Sequence, residues 1–121
     1  MSVYTDNMKI EVREPTYLVL TALAAGRLHG YGIVREVQAL SGGDVRLRAG
    51  TLYAMLDRLA GEGLVEAAGE EVVEGRLRRY YRLTRAGASM LEATSRQRRA
   101  LADIAVRRLK ASPELLAGGL A

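Results

Sequence analysis

Residues 50–64 read GTLYAMLDRLAGEGL and have a regular apolar pattern. Its large apolar side chains recur at positions i, i+3, i+4 and i+7, the spacing of one helical face. These side chains are Leu52, Met55, Leu56 and Leu59. Gly61 and Gly63 come next, and glycine commonly ends a helix. The pattern therefore predicts a helix that begins near Gly50 and packs one face against a core.

Two shorter helices are predicted before this one. Pro15 suits a first helical position, because proline lacks the N–H that would be unpaired there, and an apolar face extends to Ala25. The next pattern has an apolar residue at every third position, namely Tyr31, Val34, Val37 and Leu40. Ser41-Gly42-Gly43 ends that pattern. Residues 44–48 then alternate enough to form either a brief strand or an extended link.

A hairpin and a last helix follow the three helices. Leu64 to Ala68 and Leu77 to Leu83 are the predicted strands, and residues 69–75 are the predicted loop between them. Thr84 is a suitable N-cap for the last helix. The fold predicted by this order is mainly α with a small β-hairpin, a winged helix-turn-helix followed by a C-terminal dimerisation helix. The predicted division is an N-terminal arm at residues 1–14, the winged helix-turn-helix at 15–83, the dimerisation helix at 84–111 and a flexible tail at 112–121.

Positive charge is concentrated in the C-terminal part of the chain. The net charge is +4, yet residues 76–110 carry eleven basic and two acidic side chains, while residues 1–75 carry seven basic and eleven acidic ones. A basic run on its own is usually a solvated surface. A basic hairpin beside a helix-turn-helix pattern instead favours binding to the phosphate backbone of DNA.

Several classes of function are excluded by what the chain lacks. It contains no cysteine and one histidine, His29, so a disulfide framework, a cysteine nucleophile and a thiolate zinc site are not available. No acidic cluster has the spacing of a calcium loop, and no apolar run approaches the roughly 20 residues that span a bilayer. A carboxylate pair for catalysis would have to be Glu70-Glu71, on a predicted loop with nothing to prepare it for acid–base chemistry. We therefore expect a cytoplasmic protein that is not an enzyme, holds no metal or cofactor and binds no membrane.

The third helix is the predicted contact with DNA bases. A major groove about 12 Å wide admits one helix, whose N-terminal part meets the base edges. The core face of this helix leaves the opposite side for DNA. The candidate contacts there are Arg48, Gly50, Thr51, Tyr53, Ala54 and Arg58. Two alternatives stay open: Thr51 caps the helix, and Tyr53 is a partly buried packing residue.

The hairpin is the predicted contact with the DNA backbone, through Arg76, Arg78, Arg79 and Tyr80. Its second strand alternates between two faces, and its leucines share the face of Tyr81, which we expect to pack inward. Arg76 and Arg78 lie near the tip on the other face and should bind phosphates better than Arg79. Affinity should then fall steeply with salt, because each neutralised phosphate releases counterions. Acidic residues in the loop argue against deep insertion into DNA.

Three blocks of sequence carry a family resemblance. They are HGYGI at residues 29–33, GTLY at 50–53 followed by LDRLAGEGL at 56–64, and RRYYRLTRAG at 78–87. In this order and spacing they resemble the PadR family of transcriptional regulators, of the short type with a single C-terminal helix. The resemblance implies a winged-helix homodimer that usually represses transcription and is released by a small molecule. Ala54 stands where family members often carry proline, and Arg48-Ala49 where pairs such as Ser-Pro are common, so the operator sequence cannot be borrowed from relatives.

A homodimer is expected because one short helix contacts too few base pairs for specificity. A twofold pair spans half-sites about 34 Å apart in a palindromic operator of double-stranded DNA. The apolar patches Met90-Leu91 and Leu101 to Leu109 are predicted to pack on a partner's N-terminal arm and first helix; the alternative is their own domain. Candidates for the dimer contact or a small-molecule effector pocket are Tyr4, Met8, Tyr17, Met90, Gln97, Leu101 and Ile104.

Other functions stay open beside repression. One is an activator, or a regulator that needs no ligand, and the sequence does not separate these from a repressor. Another is a winged-helix module that binds protein, which a hairpin without basic residues would have indicated. His29 lies between the first two predicted helices and is expected to be a turn or packing residue.

Overall fold

The computed structural model describes residues 12–117. Its elements, in chain order, are α1 Glu14–Ala24, β1 Leu28–His29, α2 Gly30–Leu40, α3 Ala49–Gly61, β2 Val65–Val73, β3 Arg76–Leu83, α4 Arg85–Lys110 and α5 Pro113–Leu116. Within the described residues, 12–91 form one unit and 92–117 form a second. Among the helices of residues 12–117, none is long and apolar enough to cross a membrane.

Helices α1, α2 and α3 surround the core of the first unit. Its fully buried side chains come from all three helices: Val19, Leu20, Ile33, Val37, Leu52, Leu56 and Leu59. Three of the four residues of the predicted α3 stripe are among them, and Met55 packs at the edge of the core. The predicted helix and its buried face are confirmed, because a stripe at helical spacing can meet the core over its whole length.

Two predicted helix details are corrected. Helix α1 begins and ends one residue before the predicted Pro15 and Ala25, with the proline in its first turn. In α2, Ile33 and Val37 are buried, whereas Tyr31 is 65% exposed and Leu40 is also exposed. A helical turn has 3.6 residues, so residues spaced three apart rotate gradually around the helix and do not share one face over its whole length. Ile33 and Val37, four residues apart, lie on the same face. Residues 45–48 form no strand and are an extended link.

The hairpin, which we call the wing (β2, β3 and their turn), is longer than predicted. Strand β2 continues to Val73, and the turn consists of Glu74 and Gly75, both with positive φ. The predicted loop at residues 69–75 is therefore wrong for residues 69–73. The polar side chains there belong to a ribbon that extends beyond the core, so their polarity does not indicate a loop. Tyr81 and Leu83 pack against the core as predicted, but Leu77, on the same face, is 59% exposed.

A third strand completes the sheet. Leu28 and His29 of β1 pair antiparallel with Tyr81 and Tyr80, giving the strand order β1-β3-β2. A strand of two residues is too short to show a period, and the sequence predicted only a turn at this place. The predicted class, mainly α with a small hairpin, is confirmed with this one addition.

The first turns of α4 belong to the first unit. The Gly87 N–H donates to the Thr84 Oγ1 at 3.0 Å, so Thr84 caps the N-terminus of α4, as predicted. Met90 and Leu91 pack against the core of their own unit. The alternative that this patch packs on its own domain is therefore supported, while a contact of the half-buried Met90 and Leu91 with a partner stays a prediction. The short helix α5 lies within the predicted flexible tail.

Candidate nucleic-acid interface

The N-terminal turn of α3 presents bare backbone. The helix begins at Ala49, with Arg48 as an extended N-cap residue whose side chain makes no capping hydrogen bond. Thr51 lies inside the helix, so the alternative that it caps the N-terminus is wrong. Gly50 and Thr51 are exposed, and a Cβ added to Gly50 would meet nothing within 4 Å. Unpaired N–H groups and the positive end of the helix dipole therefore lie at an open surface, which suits an anion.

Tyr53 connects α3 to the start of α2. It is 44% exposed, and its hydroxyl lies so close to Gly30 that a Cβ there would collide with it. The packing alternative for Tyr53 is thus supported, and Gly30 permits the close approach. Tyr53 and Ala54 are both exposed, so a contact of the ring with DNA stays a prediction.

Arg58 lies apart from the other candidates on α3. Its Nη2 donates to the Thr16 Oγ1 at 3.1 Å, and its Nη1 lies 3.7 Å from the Glu62 carboxylate. The guanidinium therefore joins α3 to α1, two turns from the N-terminal face. A contact between Arg58 and DNA stays a prediction, and these partners compete with it.

Most carboxylates of the wing are paired with arginines. The distances between N and O atoms are 2.8 Å for Arg82–Glu66, 3.5 Å for Arg79–Glu70 and 3.4 Å for Arg27–Glu71. Exposed pairs of this kind contribute little stability, but each cancels charge locally.

Arg76 and Arg78 differ from the other wing arginines. Neither makes an ion pair within residues 12–117, and Arg78 is half-buried. Arg79, in contrast, has Glu70 as its partner. This difference agrees with the sequence-based expectation that the first two arginines are the better phosphate ligands.

Tyr80 takes part in contacts at the base of the wing. Its hydroxyl donates to the Glu71 Oε1 at 2.8 Å, and the Arg27 guanidinium carbon lies 4.2 Å from its ring centroid. Sequence reasoning placed Tyr80 at the DNA and missed Arg27 altogether. The available signal was Gly69, since a glycine within a strand pattern often marks a bulge that another group approaches.

His29 packs on the same face of the sheet. Its ring centroid lies 5.5 Å from that of Tyr80, and its Nε2 is buried without a hydrogen-bond partner among residues 12–117. Burial lowers the pKa of His29 below its usual value, the Arg78 charge lowers it further, and Glu71 partly opposes them. The imidazole is therefore neutral at neutral pH, in agreement with a packing residue.

A cleft of about 570 Å³ brings α3 and the wing together. Its walls come from β1, the start of α2, Tyr53 of α3 and the end of the wing: His29, Gly30, Tyr31, Tyr53, Val73, Glu74, Arg76, Leu77, Arg78 and Arg79. Three of the predicted DNA contacts on the wing thus face the same space as one on α3.

The candidates for a dimer contact or effector pocket lie in different parts of the chain. Tyr4 and Met8 lie outside the described residues. Tyr17 is half-buried in α1, and Met90 packs on the core. In the second unit, Gln97 is exposed, Leu101 is 67% exposed and Ile104 is half-buried.

Comparison with known proteins gives consistent matches. The sequence model described as "Transcriptional regulator PadR-like family" matches residues 19–93. The "Transcriptional regulator Rv3488" of Mycobacterium tuberculosis is 39% identical over 87 residues, which are 72% of this chain and 75% of that protein.

Several solved structures of similar fold are named as PadR or PadR-like proteins. A PadR family transcription regulator from Clostridium difficile has a TM-score of 0.63 and 26% identity, over 77% of this chain and 95% of that one. PadR of Bacillus subtilis, solved in complex with operator DNA, has a TM-score of 0.56 and 24% identity, over 64% of this chain and 44% of that one. These structures confirm the winged-helix fold. With a family match over more than half of its length, the chain belongs to the PadR-like family of transcriptional regulators.

Proposed function

We propose that this regulator is a sequence-specific DNA-binding repressor in which α3 contacts base edges and the wing binds the phosphate backbone. One observation carries the proposal: Tyr53 of α3 and the wing arginines Arg76 and Arg78, which make no ion pair within residues 12–117, line one cleft, and the N-terminal turn of α3 is exposed. A helix with an open N-terminal face suits the major groove, and a basic ribbon beside it suits the adjacent backbone.

The proposed contact on α3 consists of small side chains beside one arginine. Gly50, Thr51 and Ala54 let the helix approach the bases closely, and the Thr51 methyl and hydroxyl can meet a thymine methyl or a phosphate. Arg48 lies at the exposed N-cap, where its guanidinium can contact a phosphate or a guanine. The buried opposite face holds the helix in place while it does so.

The proposed contact of the wing is electrostatic. Arg76 and Arg78 supply positive charge that no carboxylate of residues 12–117 pairs with, while the paired Arg79 and Arg82 contribute less. Such contacts position the protein on any duplex and do not distinguish sequences. The resulting affinity should depend strongly on salt.

We further propose a homodimer on a palindromic operator, with release by a small molecule. In the second unit, Leu101, Val106 and Leu109 are exposed apolar residues, and Ile104 beside them is half-buried. A second copy would cover them, and two copies would place two α3 helices at successive turns of DNA. As a regulator of transcription the protein would act in the cytoplasm.

The proposal is tested with purified protein and the DNA upstream of its own gene. Fluorescence anisotropy at two salt concentrations, with an unrelated duplex of equal length as control, measures both affinities. Tighter binding to the upstream DNA that persists at the higher salt supports the proposal. Equal, salt-sensitive binding to both duplexes would contradict recognition of that DNA and would call for selection of a binding site from genomic fragments.

A further inference from the structure

The pairing of β2 with β3 is irregular at one place. Ala67 pairs with Tyr81 and Glu70 pairs with Arg79, so that Ala68 and Gly69 together lie opposite Tyr80. An extra residue in one strand is a β-bulge, which bends the ribbon and increases its twist. The direction of the wing beyond this point therefore depends on how the bulge is held.

Arg27 holds the bulge from outside the wing, from the connection between α1 and β1. Its Nη1 donates to the Ala68 carbonyl oxygen at 2.8 Å, and its Nη2 lies 3.4 Å from the Glu71 Oε2. Its guanidinium also lies over the Tyr80 ring, 4.2 Å from the centroid. One side chain thus contacts both strands. We call Arg27, Ala68, Glu71 and Tyr80 the bulge clamp.

The contacts of the bulge clamp restrict which residue types can occupy its positions. The Tyr80 hydroxyl donates to the Glu71 Oε1 at 2.8 Å, so both oxygens of that carboxylate are engaged. Gly69 has a φ of 104°, and a Cβ there would lie 3.0 Å from the Arg27 Nη1. A planar guanidinium can bond two acceptors and stack on an aromatic ring at once, which an ammonium group cannot do.

Beyond the bulge, the wing has no comparable apolar anchor in the Val72–Leu77 pair. Val72 and Leu77 form a cross-strand pair beyond the bulge, yet they are 72% and 59% exposed. A two-stranded ribbon without a buried face is marginally stable on its own. The contacts at the bulge are therefore the polar anchor between the base of the wing and its tip.

We infer that Arg27 is a positioning residue: through the bulge clamp it sets the direction of the wing, and hence the location of Arg76 and Arg78, without contacting DNA. The structural part of this inference concerns the free protein. Its consequence for affinity rests on the proposed function.

The structural part is tested without DNA. Because the chain has no cysteine, Val72→Cys provides a single thiol for a fluorescent label near the tip. Time-resolved anisotropy of the label should show a larger nanosecond amplitude when Arg27→Lys is added, since lysine keeps the charge but cannot form all three contacts. Arg85→Lys, on α4, is the matched control and should leave the decay unchanged. An unchanged decay in Arg27→Lys would overturn the inference.

The functional part is tested by whether Glu71→Ala tightens or weakens binding to DNA. If Glu71 acted only as negative charge near DNA, Glu71→Ala would tighten binding. The bulge clamp predicts instead that affinity for DNA falls about three- to tenfold, as for other residues that act without touching the ligand.

Glu74→Asn is the control for the loss of one negative charge from the wing. It removes the same charge from the turn, at a φ of 52° that asparagine tolerates, and leaves the bulge clamp intact. Binding should therefore become slightly tighter. Tighter binding of Glu71→Ala as well would overturn the inference. If the label reports a looser wing in Arg27→Lys but no variant binds any duplex, the clamp is supported and the proposed function fails.

Discussion

Helix α3 and the wing line the same cleft, but different forces hold them in place. Helix α3 buries Leu52, Leu56 and Leu59 in the core, and the N-terminal part of its opposite face is exposed. The wing packs on the core at its base, but beyond the bulge Val72 and Leu77 are exposed and the side-chain contacts are polar. Substitutions on the open face of α3 should therefore alter recognition without altering stability, whereas substitutions in the wing should alter its charge and direction.

The largest expected difference between the two regions is in stability. Leu56→Ala should lower the free energy of unfolding by about 2–5 kcal/mol, because it leaves a cavity in the core. Leu77→Ala, the same change on the exposed wing, should cost less than about 0.5 kcal/mol. Urea unfolding followed by circular dichroism measures both. Similar losses for the two variants would show that the wing tip is packed.

The next effect separates recognition from stability within α3. Gly50→Ala should keep or raise the free energy of unfolding, by up to about 1 kcal/mol, because alanine is the better helix former. Operator binding should weaken by about 1–3 kcal/mol, the cost of one spoiled base-pair contact, since the new methyl group lies where the backbone approaches DNA. Gly61→Ala, at the other end of α3 and equally free of neighbours, is the control. Loss of binding in both variants would argue against an N-terminal contact.

Within the wing, Arg78 and Arg79 should contribute differently to the salt dependence of DNA binding. Arg78→Gln should reduce the slope of log affinity against log salt by about one phosphate contact. Arg79→Gln should reduce it less, because Glu70 already pairs with that arginine at 3.5 Å. The measurement is a salt titration of binding to an unrelated duplex. Equal reductions would mean that the Arg79–Glu70 pair opens on DNA.

The smallest expected effect concerns the contact between the wing and β1. His29 is the only histidine, so its imidazole resonance in NMR is unambiguous, and its pKa should lie below 6.5. Since the unfolded chain then takes up the proton more readily than the folded one, the contribution of His29 to stability is lost as pH falls below 6.5.

Arg78→Gln provides the control for this titration. It should raise the pKa of His29 toward its usual value, because it removes the positive charge of Arg78. A midpoint at or above 6.5 in the unsubstituted protein would contradict the burial described for this ring.

The two regions also differ in how far the sequence predicted them. Helix α3 was predicted well because burial imposes a period on Leu52, Leu56 and Leu59. The extension of β2 was missed because Glu70 pairs with Arg79 across the sheet and Glu71 pairs with Arg27 outside it. A periodic pattern within one element does not reveal such partners. For the same reason Arg27, which bonds to a residue 41 positions away, escaped prediction.

The candidate site shows the same limit. Gly50, Thr51 and Arg76 lie on exposed surfaces, as a helical face and a strand alternation predicted. Arg58 and Tyr80 were assigned to DNA by the same rules, yet the structure places Thr16 and Glu71 beside them. Periodicity predicts the side of an element that a residue occupies, but tertiary structure determines what lies opposite.

The division of roles between α3 and the wing is tested most directly by one ratio, the affinity for operator over the affinity for an unrelated duplex, measured for Thr51→Ala and Arg78→Gln. Thr51→Ala should lower the ratio, because it removes a contact to bases and leaves the backbone contacts in place. Arg78→Gln should lower both affinities and leave the ratio unchanged. The same change of ratio in both variants would contradict the assignment of base recognition to α3 and of backbone binding to the wing.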